Sequence, residues 1–297
     1  MRRILITGAR GFLAAPLIAR LERRGRLFNI GRSAAPGIRR YDLSDPDQAR
    51  DAVNDTRPDE VYHIAGTTRA CGWDGLWLAH VTATVNILEA LAARGTSVRV
   101  VIAGSSAEYG AAGGSRRPDE NALLDPVTTY GSSKLAQTLA ALSFASGPIE
   151  VVVARIFNVL GPGTPENLAP GAFARQIARV AAGLQPPKIV VGDLSPRRDY
   201  VDARDVARAL EVLMRRGVSG ECYNVGSGRS TPMSAVLRGL AGAAGVRVTE
   251  CVDPARRRPS EVRDLAGDVR KIGTLGWAPR IPLVRSLADT LASWSRR

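Results

Sequence analysis

A glycine motif near the start of the chain constrains the fold most strongly. The apolar run RILIT ends at Thr7, and the loop TGARGFLA (residues 7–14) leads into an amphipathic stretch that predicts a helix over about residues 12–24. Between a first strand and a first helix, backbone amides and the helix N-terminus can approach a pyrophosphate. The motif therefore predicts a dinucleotide-binding α/β unit rather than an ordinary strand–helix turn.

Each position of this loop suits such a site. Gly8 permits a tight turn, Gly11 lets the backbone approach the ligand, and Ala14 is small enough for close helix packing. We predict that the loop and the end of a later strand hold the cofactor; the residues are Thr7, Gly8, Arg10, Gly11, Phe12, Leu13 and Ala65.

The first half of the chain alternates short apolar runs with helical patterns, which predicts a parallel sheet wrapped by helices. Continuous apolar runs such as VRVVIAG suit strands that are covered on both faces. We therefore predict an α/β fold with a doubly wound parallel sheet of the Rossmann type. The predicted strands are 27–31, 60–65, 98–104 and 149–158, and the predicted helices are 44–54, 76–93 and 130–146.

The regular alternation of apolar runs and helical patterns stops after Asn158, where the segment LGPGTPENLAPG is rich in glycine and proline. We predict a dinucleotide-binding domain over residues 1–160, with returns near 197–224, and a smaller C-terminal substrate-binding α/β domain, mainly 161–297. The later predicted elements are a helix at 172–183, a strand at 188–192, a turn at DLSPRRD, a helix at 201–214, a strand and loop at 221–228, and helices near 231–244 and 282–296.

Charge and cysteine content narrow the class of protein. The net charge of +13 is compatible with nucleic-acid binding. The arginines, however, are spread along the chain, and no group of aromatic and basic residues accompanies them, so we predict that the protein does not bind nucleic acid. The three cysteines lack CxxC spacing, which argues against a zinc site and favours a reducing, cytoplasmic location. No apolar run reaches about 18 residues, so we expect no membrane span.

The end of the second strand indicates which cofactor the site prefers. An NAD-specific site usually places a carboxylate there, and none occurs between Leu27 and Ala35. Arg32 and Ser33, helped by Arg10, suit a 2′-phosphate through charge-assisted hydrogen bonds. We therefore predict that NADP(H) is preferred and that NAD(H) is possible. Asp42 and Leu43 follow a further short strand and are predicted to contact the adenine.

Three further residues form a predicted catalytic group. Ser105 lies at the carboxyl end of a strand, where ligands sit in this architecture, and Tyr130 and Lys134 share one helix face. A lysine cation stabilises a tyrosinate and brings the phenol pKa from about 10 towards neutrality. Tyr130 can then exchange a proton with a substrate oxygen that Ser105 hydrogen-bonds, while Lys134 also holds the nicotinamide ribose. We interpret the two histidines, His63 and His80, as structural.

Five motifs carry a resemblance to a known family: TGARGFLA, HIAG (63–66), GSSAEYG (104–110), YGSSK (130–134) and RIFNVLGPG (155–163). They resemble the extended short-chain dehydrogenase/reductase family of sugar-nucleotide epimerases, dehydratases and reductases. Five later segments resemble its GDP-4-keto-6-deoxymannose reductase branch, which reduces a 4-keto sugar nucleotide with NADPH. These segments are GAFARQIA (171–178), GDLSPRRDYVDARDV (192–206), YNVGSG (223–228), RPSEV (258–262) and LGWAPRIPL (275–283).

The resemblance implies a substrate site for a nucleotide-diphosphate sugar. Arg198, in the expected RRDY turn, and Arg258 correspond to arginines that grip the diphosphate, and Glu261 to a carboxylate that meets the ribose. The full set is Ser106, Asn158, Arg198, Arg258 and Glu261. The family resemblance also implies a homodimer, in which helices 76–93 and 130–146 form the interface.

Departures from the family pattern limit the reaction type. Dehydratases carry an acid one or two residues after the catalytic hydroxyl, where this chain has Ser106 and Ala107, and Glu108 would face differently on an extended strand. His80 replaces a usual asparagine and Gly66 a usual alanine. A 4-ketoreductase on a GDP- or dTDP-linked deoxysugar is the leading interpretation. A 4-epimerase and a non-catalytic dinucleotide- or nucleic-acid-binding relative are the alternatives.

Overall fold

A seven-stranded sheet lies at the centre of the molecule, whose computed structural model describes residues 1–68, 71–111, 117–256 and 262–295. The strand order is β10-β6-β5-β4-β1-β2-β3, and every neighbouring pair is parallel. The order reverses between β1 and β4, which confirms the predicted doubly wound sheet. The strands are β1 Arg3–Thr7, β2 Arg26–Gly31, β3 Ile38–Arg40, β4 Glu60–His63, β5 Val98–Ser105, β6 Ile149–Ile156 and β10 Cys222–Val225.

Helices cover both faces of this sheet, as expected from its apolar strands. One core lies under α1 (Ala14–Leu21) and α7 (Ala203–Arg216) and contains Leu17 and Leu210. The opposite core lies under α2 (Pro46–Thr56), α4 (Ala83–Ala93) and α5 (Thr129–Leu142). Because β5 and β6 are buried from both sides, their valines and isoleucines contribute to both cores.

A third core lies among helices of the second half of the chain. It joins α6 (Ala169–Ala181), α8 (Met233–Ala244) and α10 (Leu283–Ser295) around residues such as Phe173, Leu240 and Leu291. Two small sheets accompany it: β8 with β12, and a sheet of β7, β9, β11 and β13. Their bounds are β7 Asn158–Leu160, β8 Lys188–Val191, β9 Arg197–Asp202, β11 Ser230–Pro232, β12 Thr249–Val252 and β13 Asp264–Leu265; the remaining helices are α3 Gly72–Trp77 and α9 Arg270–Thr274.

Three predicted elements are wrong in detail. The DLSPRRD segment does not stay a turn, because β9 begins at Arg197 and pairs with β7, β11 and β13. The helix predicted at 201–214 begins at Ala203, since Asp202 is extended and its carboxylate caps the helix by accepting from the Arg204 amide. The strand predicted over 149–158 likewise ends at Ile156 before β7 begins.

Differences at other ends are small and have local causes. Helix α1 is shorter than the predicted 12–24: it covers Ala14–Leu21, and residues 22–24 form a turn before β2. The helix predicted from residue 76 begins at Gly72 and contains a π-helical segment, Leu78–Thr82, between α3 and α4. Glu108 lies in a 3₁₀ turn, Ser106–Glu108, rather than on an extended strand.

One helical stretch, Gly72–Ala93, is long and apolar enough to cross a membrane by length and composition alone. Its mean hydropathy reaches 1.4, and 44% of that window is buried inside the fold. Ile87, Leu88 and Leu91 are fully buried in the core beneath the central sheet, which explains part of its apolar character.

Candidate active site

The glycine loop lies where the strand order reverses, against the chain that leaves β4. Gly8 has a left-handed backbone (φ +68°), and a Cβ there would lie 2.7 Å from the Ala65 Cα. The Gly11 amide donates to the Gly8 carbonyl oxygen over 2.8 Å, which closes the turn before α1. A larger residue at position 8 would meet both strain and a clash, so the turn requires glycine.

Thr7 supports this loop from beneath instead of facing outwards. Its buried hydroxyl accepts from the Ala65 amide over 3.2 Å and lies 2.9 Å from Nδ1 of His63. The other ring nitrogen of His63 lies 3.0 Å from the Thr84 hydroxyl. Burial lowers the pKa of His63 to about 3, with the Lys134 charge as a second cause. The imidazole is therefore neutral and fully hydrogen-bonded, which agrees with its interpretation as structural.

A basic and hydroxylic group flanks the loop at the end of β2. Nη1 of Arg10 donates to the hydroxyl of Ser33 over 2.6 Å, so the structure brings together two residues that are 23 positions apart. Arg32 is exposed beside them. The cluster presents positive charge and a hydroxyl to solvent, which is the chemistry that a ribose 2′-phosphate requires.

Two residues predicted to contact the adenine face the protein more than solvent. The Asp42 carboxylate accepts from the Ser44 amide over 3.0 Å and from its hydroxyl over 2.7 Å. The Leu43 side chain is only 6% exposed, and its carbonyl accepts from the Asn86 amide. A ligand that contacts this segment would therefore bind atoms of Asp42 and Leu43 that take no part in these hydrogen bonds.

The structure brings the predicted catalytic residues together at the carboxyl end of β5. Helix α5 packs against β5, which ends at Ser105. The Thr128 hydroxyl caps the start of α5 by accepting from the Gly131 amide over 3.0 Å. The pKa of Tyr130 is raised above its ordinary value, so the predicted shift towards neutrality is wrong for the protein alone: burial raises the pKa and outweighs the opposing effect of Ser105. Ser105 and Tyr130 are therefore close enough for their side chains to interact, as proton exchange with a shared substrate oxygen would need.

Lys134 lies one helical turn after Tyr130 and is only 4% exposed. Its ammonium donates to the Ala103 carbonyl over 2.6 Å and to Oε1 of Gln137. Burial lowers the pKa of Lys134 to about 8, although the Glu108 charge opposes this shift. An ammonium with three donors can make one bond beyond these two.

The sequence did not indicate the buried side chains that support this group. Nε2 of Gln137 donates to the Thr84 hydroxyl over 2.8 Å, so a string of polar groups joins Lys134 through Gln137 and Thr84 to His63 and Thr7. Gln137 lies three residues after Lys134 on α5, and this i,i+3 spacing was the available signal. The string connects the lysine with the strand that carries the glycine loop.

Glu108 supports the same region from another side. Its carboxylate accepts from the Ser105 amide over 2.8 Å and the Thr138 hydroxyl over 3.1 Å, and it pairs with Arg155. Burial raises the pKa of Glu108, and the Arg155 charge opposes this. The inward position places Glu108 in the support of the site and not on its open side.

The predicted substrate residues are only partly brought together. Asn158 and Arg198 lie on the paired strands β7 and β9; the Asn158 amide donates to the Asp199 carbonyl over 3.3 Å, and Arg198 donates to the Arg197 carbonyl over 2.8 Å. Ser106 follows Ser105 and is 6% exposed. Arg258 and Glu261 lie outside the described residues. The roles given to all of these residues stay predictions.

Known proteins resemble this chain over its whole length. GDP-6-deoxy-D-mannose reductase of Pseudomonas aeruginosa is 34% identical over 303 residues, which cover 100% of this chain and 98% of that protein. The dTDP-6-deoxy-L-talose 4-dehydrogenase (NAD(P)(+)) of Kitasatospora kifunensis is 31% identical, with 97% and 94% covered.

A solved structure of RMD from Pseudomonas aeruginosa complexed with NADPH has a TM-score of 0.89 and 32% sequence identity, and the similarity covers 100% of this chain and 99% of that one. The profile of the NAD dependent epimerase/dehydratase family matches residues 4–226, which include the glycine loop and the Ser105–Tyr130–Lys134 group. The chain belongs to the NAD dependent epimerase/dehydratase family, the extended short-chain dehydrogenases/reductases.

Proposed function

We propose that this protein reduces the 4-keto group of a nucleotide-activated 6-deoxyhexose with NADPH. The observation that carries the proposal is the position of Tyr130 and Lys134 on α5 against the carboxyl end of β5, where Ser105 lies and where the Lys134 ammonium donates to the Ala103 carbonyl. The full-length similarity to a GDP-6-deoxy-D-mannose reductase and a dTDP-6-deoxy-L-talose 4-dehydrogenase supports the reaction and the substrate class.

The residues present fit a dinucleotide phosphate. Gly8 and Gly11 carry no side chain in the loop that enters α1, so a pyrophosphate could approach the backbone at these two positions. Arg10 and Ser33 would hold a 2′-phosphate, and Lys134 would hold the nicotinamide ribose with its remaining donor. When bound, NADPH supplies the hydride; NADH would lack the group that Arg10 and Ser33 bind.

The protein's own residues then handle the oxygen of the substrate carbonyl. Ser105 hydrogen-bonds that oxygen, and Tyr130 donates its phenolic proton to it as C4 receives the hydride. The products are the secondary alcohol, the oxidised cofactor and a tyrosinate that is reprotonated from solvent. Burial raises the pKa of Tyr130 in the protein alone; we propose that the positive charge of Lys134 favours the tyrosinate as it forms and so lowers the barrier to this proton transfer.

Substrate binding is proposed to use the small sheet beside this group. Asn158 and Arg198, with Arg258 and Glu261 of the segment outside the described residues, would bind the nucleotide diphosphate and ribose. Burial lowers the pKa of Arg198, so an anion near its guanidinium would be poorly screened by water. Two arginines that converge on a diphosphate are sound chemistry for this ligand.

The decisive experiment follows NADPH absorbance in the presence of GDP- and dTDP-4-keto-6-deoxyhexoses, with mass spectrometry of the products. We expect one NADPH consumed per sugar reduced by two hydrogens, and Tyr130→Phe as the inactive control. Interconversion of sugars without net cofactor consumption would identify a 4-epimerase instead. Cofactor binding with no turnover of any sugar would favour a non-catalytic relative.

The same proposal includes a division of the chain. A dinucleotide-binding domain would comprise residues 1–160 with returns near 197–224, and a substrate domain would comprise mainly 161–297. Its support is that α7 and β10 pack in the cores of the central sheet, whereas α6, α8 and α10 share a separate core.

We also propose a homodimer formed through the helical stretch 72–93 and α5. Trp73, Trp77 and Leu78 are 45%, 39% and 48% exposed on this stretch, and Leu139 on α5 is 59% exposed. Exposed apolar side chains of this size mark protein contacts. Light scattering should give twice the 31.6 kDa chain mass; Trp77→Glu should give the monomer mass, and a wild-type monomer would contradict this proposal.

Location and partners complete the proposal. The three cysteines are free, which supports a reducing compartment such as the cytoplasm. We expect no binding to nucleic acid or membranes; a gel shift with duplex DNA or RNA that survives physiological salt would contradict the first expectation.

A further inference from the structure

His80 packs directly against the predicted catalytic tyrosine. It lies in the π-helical segment Leu78–Thr82 and is only 1% exposed. Its ring centroid is 5.5 Å from that of Tyr130, and the two rings are nearly perpendicular at 80°. This edge-to-face contact restricts the ring orientation of a residue whose hydroxyl must point at the substrate.

Hydrogen bonds fix the imidazole from both nitrogens. Nδ1 lies 2.9 Å from the Ser133 hydroxyl, which itself donates to the Tyr130 carbonyl over 2.8 Å. The Thr67 amide donates to Nε2 over 3.1 Å. Nε2 also lies 3.1 Å from the Thr67 carbonyl oxygen. A neutral ring with the proton on Nδ1 donates to Ser133 and accepts from the Thr67 amide, but it has no proton for the Thr67 carbonyl. His80 thereby links the first turn of α5 to the segment that follows β4.

Gly66 leaves the room that this ring occupies. A Cβ at position 66 would lie 3.1 Å from Cδ2 and 3.2 Å from Nε2 of His80. Both distances are shorter than ordinary van der Waals contact, so a Cβ at position 66 would force the imidazole to shift by a few tenths of an ångström from the place where its hydrogen bonds hold it. The glycine and the histidine are therefore geometrically matched to one another.

The groups that face His80 keep it neutral. Burial lowers the pKa of His80 to about 3, and the positive charge of Lys134 acts in the same direction. His63, on β4, is also neutral, and Thr84 links it to His80: the Thr84 hydroxyl lies 3.0 Å from Nε2 of His63 and donates to the His80 carbonyl. Because no proton is gained near neutral pH, the contact with Tyr130 persists across that range.

We propose that His80 is a positioning residue for Tyr130, and that Gly66 is required for this role because any larger residue displaces the imidazole. The proposal rests on the proposed ketoreductase function, since that reaction gives Tyr130 its task. His80 exchanges no proton with substrate; it sets the direction of the phenol and holds the turn that carries it.

The first test is His80→Asn, which can still donate to Ser133 but loses the ring contact and the bond from Thr67. We expect kcat to fall about tenfold, equivalent to about 1.4 kcal/mol. The KM for the keto sugar and the Kd for NADPH should stay within about twofold, because neither ligand is expected to contact His80. An unchanged kcat, or equal changes in kcat and NADPH affinity, would overturn the positioning role.

The second test is a double-mutant cycle with Gly66→Ala. The single variant should lower kcat and the denaturation midpoint, because its methyl group pushes the imidazole away from Tyr130. In the His80→Asn background the methyl group enters vacated space, so the double variant should be nearly as active as His80→Asn alone. The unfavourable backbone angle at position 66 (φ +157°) is present in both backgrounds and cancels in the cycle.

A matched control is Gly242→Ala in α8, where a Cβ meets nothing within 4 Å; it should leave kcat unchanged. Single effects that simply multiply in the double variant would overturn the coupling. The same cycle measured on the denaturation midpoints needs no substrate, so it tests the contact between Gly66 and His80 independently of the proposed ketoreductase function. If the wild type reduces no keto sugar, the proposed function fails, whereas coupled midpoints would still establish the contact and additive midpoints would refute it.

Discussion

Nε of Arg155 lies 2.9 Å from Oε2 of Glu108, and the two side chains are 5% and 0% exposed. The pair joins β6 to the turn that follows β5. Since the second carboxylate oxygen of Glu108 accepts from the Ser105 amide, the pair also holds the residue predicted to bind the substrate oxygen. A buried ion pair of this kind is costly to break, because the remaining charge has no water to solvate it.

Removal of the carboxylate should therefore destabilise the fold. We expect Glu108→Ala to lower the free energy of unfolding by about 3–5 kcal/mol, measured by urea denaturation. Glu166→Ala is the matched control, because it breaks an exposed ion pair in which the side chains of Arg175 and Glu166 are 52% and 54% exposed. It should change the free energy of unfolding by less than about 1 kcal/mol. Equal effects of the two variants would contradict the assigned importance of burial.

Tyr130→Phe should abolish turnover while leaving NADPH affinity nearly intact. The substitution removes the phenolic proton donor and keeps the ring that packs against His80. We expect a loss of at least about 100-fold in kcat, the usual contribution of a general acid. Steady-state kinetics and fluorescence titration with NADPH measure the two quantities. Retained activity would require another proton donor.

Arg10→Ala should reduce the preference for NADPH over NADH. The guanidinium that Ser33 holds is lost, and with it a charge-assisted hydrogen bond worth about 1.5–3 kcal/mol to a phosphate. The KM for NADPH should rise by about 10- to 100-fold, while the KM for NADH changes little. Wild-type enzyme with equal KM values for the two cofactors would remove the case for a 2′-phosphate site.

Acid should destabilise the protein through its two buried histidines. The pKa values of His63 and His80 are lowered to about 3 by burial, whereas an unfolded histidine titrates near 6.5. The unfolded chain therefore binds protons as the pH falls below 6.5, and the folded chain does not until about 3. Stability is present above 6.5 and is lost as the pH falls through that window.

Each histidine should account for about 2 kcal/mol between pH 7 and pH 5. His80→Asn removes one of these contributions, so its free energy of unfolding should decline less steeply than that of the wild type. Urea denaturation at the two pH values measures the slopes. Parallel slopes for the two proteins would show that His80 does not stay neutral on folding.

The sequence by itself determined the doubly wound sheet, because continuous apolar strands that alternate with amphipathic helices have few other ways to bury their surfaces. It also indicated the glycine turn and the Ser105–Tyr130–Lys134 group, since strand ends and a four-residue helical spacing are local properties. Gly8 is a clear case: its position between a strand and a helix demands the backbone that the structure shows.

Only the tertiary structure decided what surrounds that group. Glu108 and Arg155 are 47 positions apart, and His80 and Ser133 are 53 apart, so no local pattern pairs them. β9 was missed for the same reason: its partners β7, β11 and β13 come from three distant segments. A buried polar side chain takes whichever partner the packed core brings within hydrogen-bonding distance, and that is settled only when the whole chain has folded.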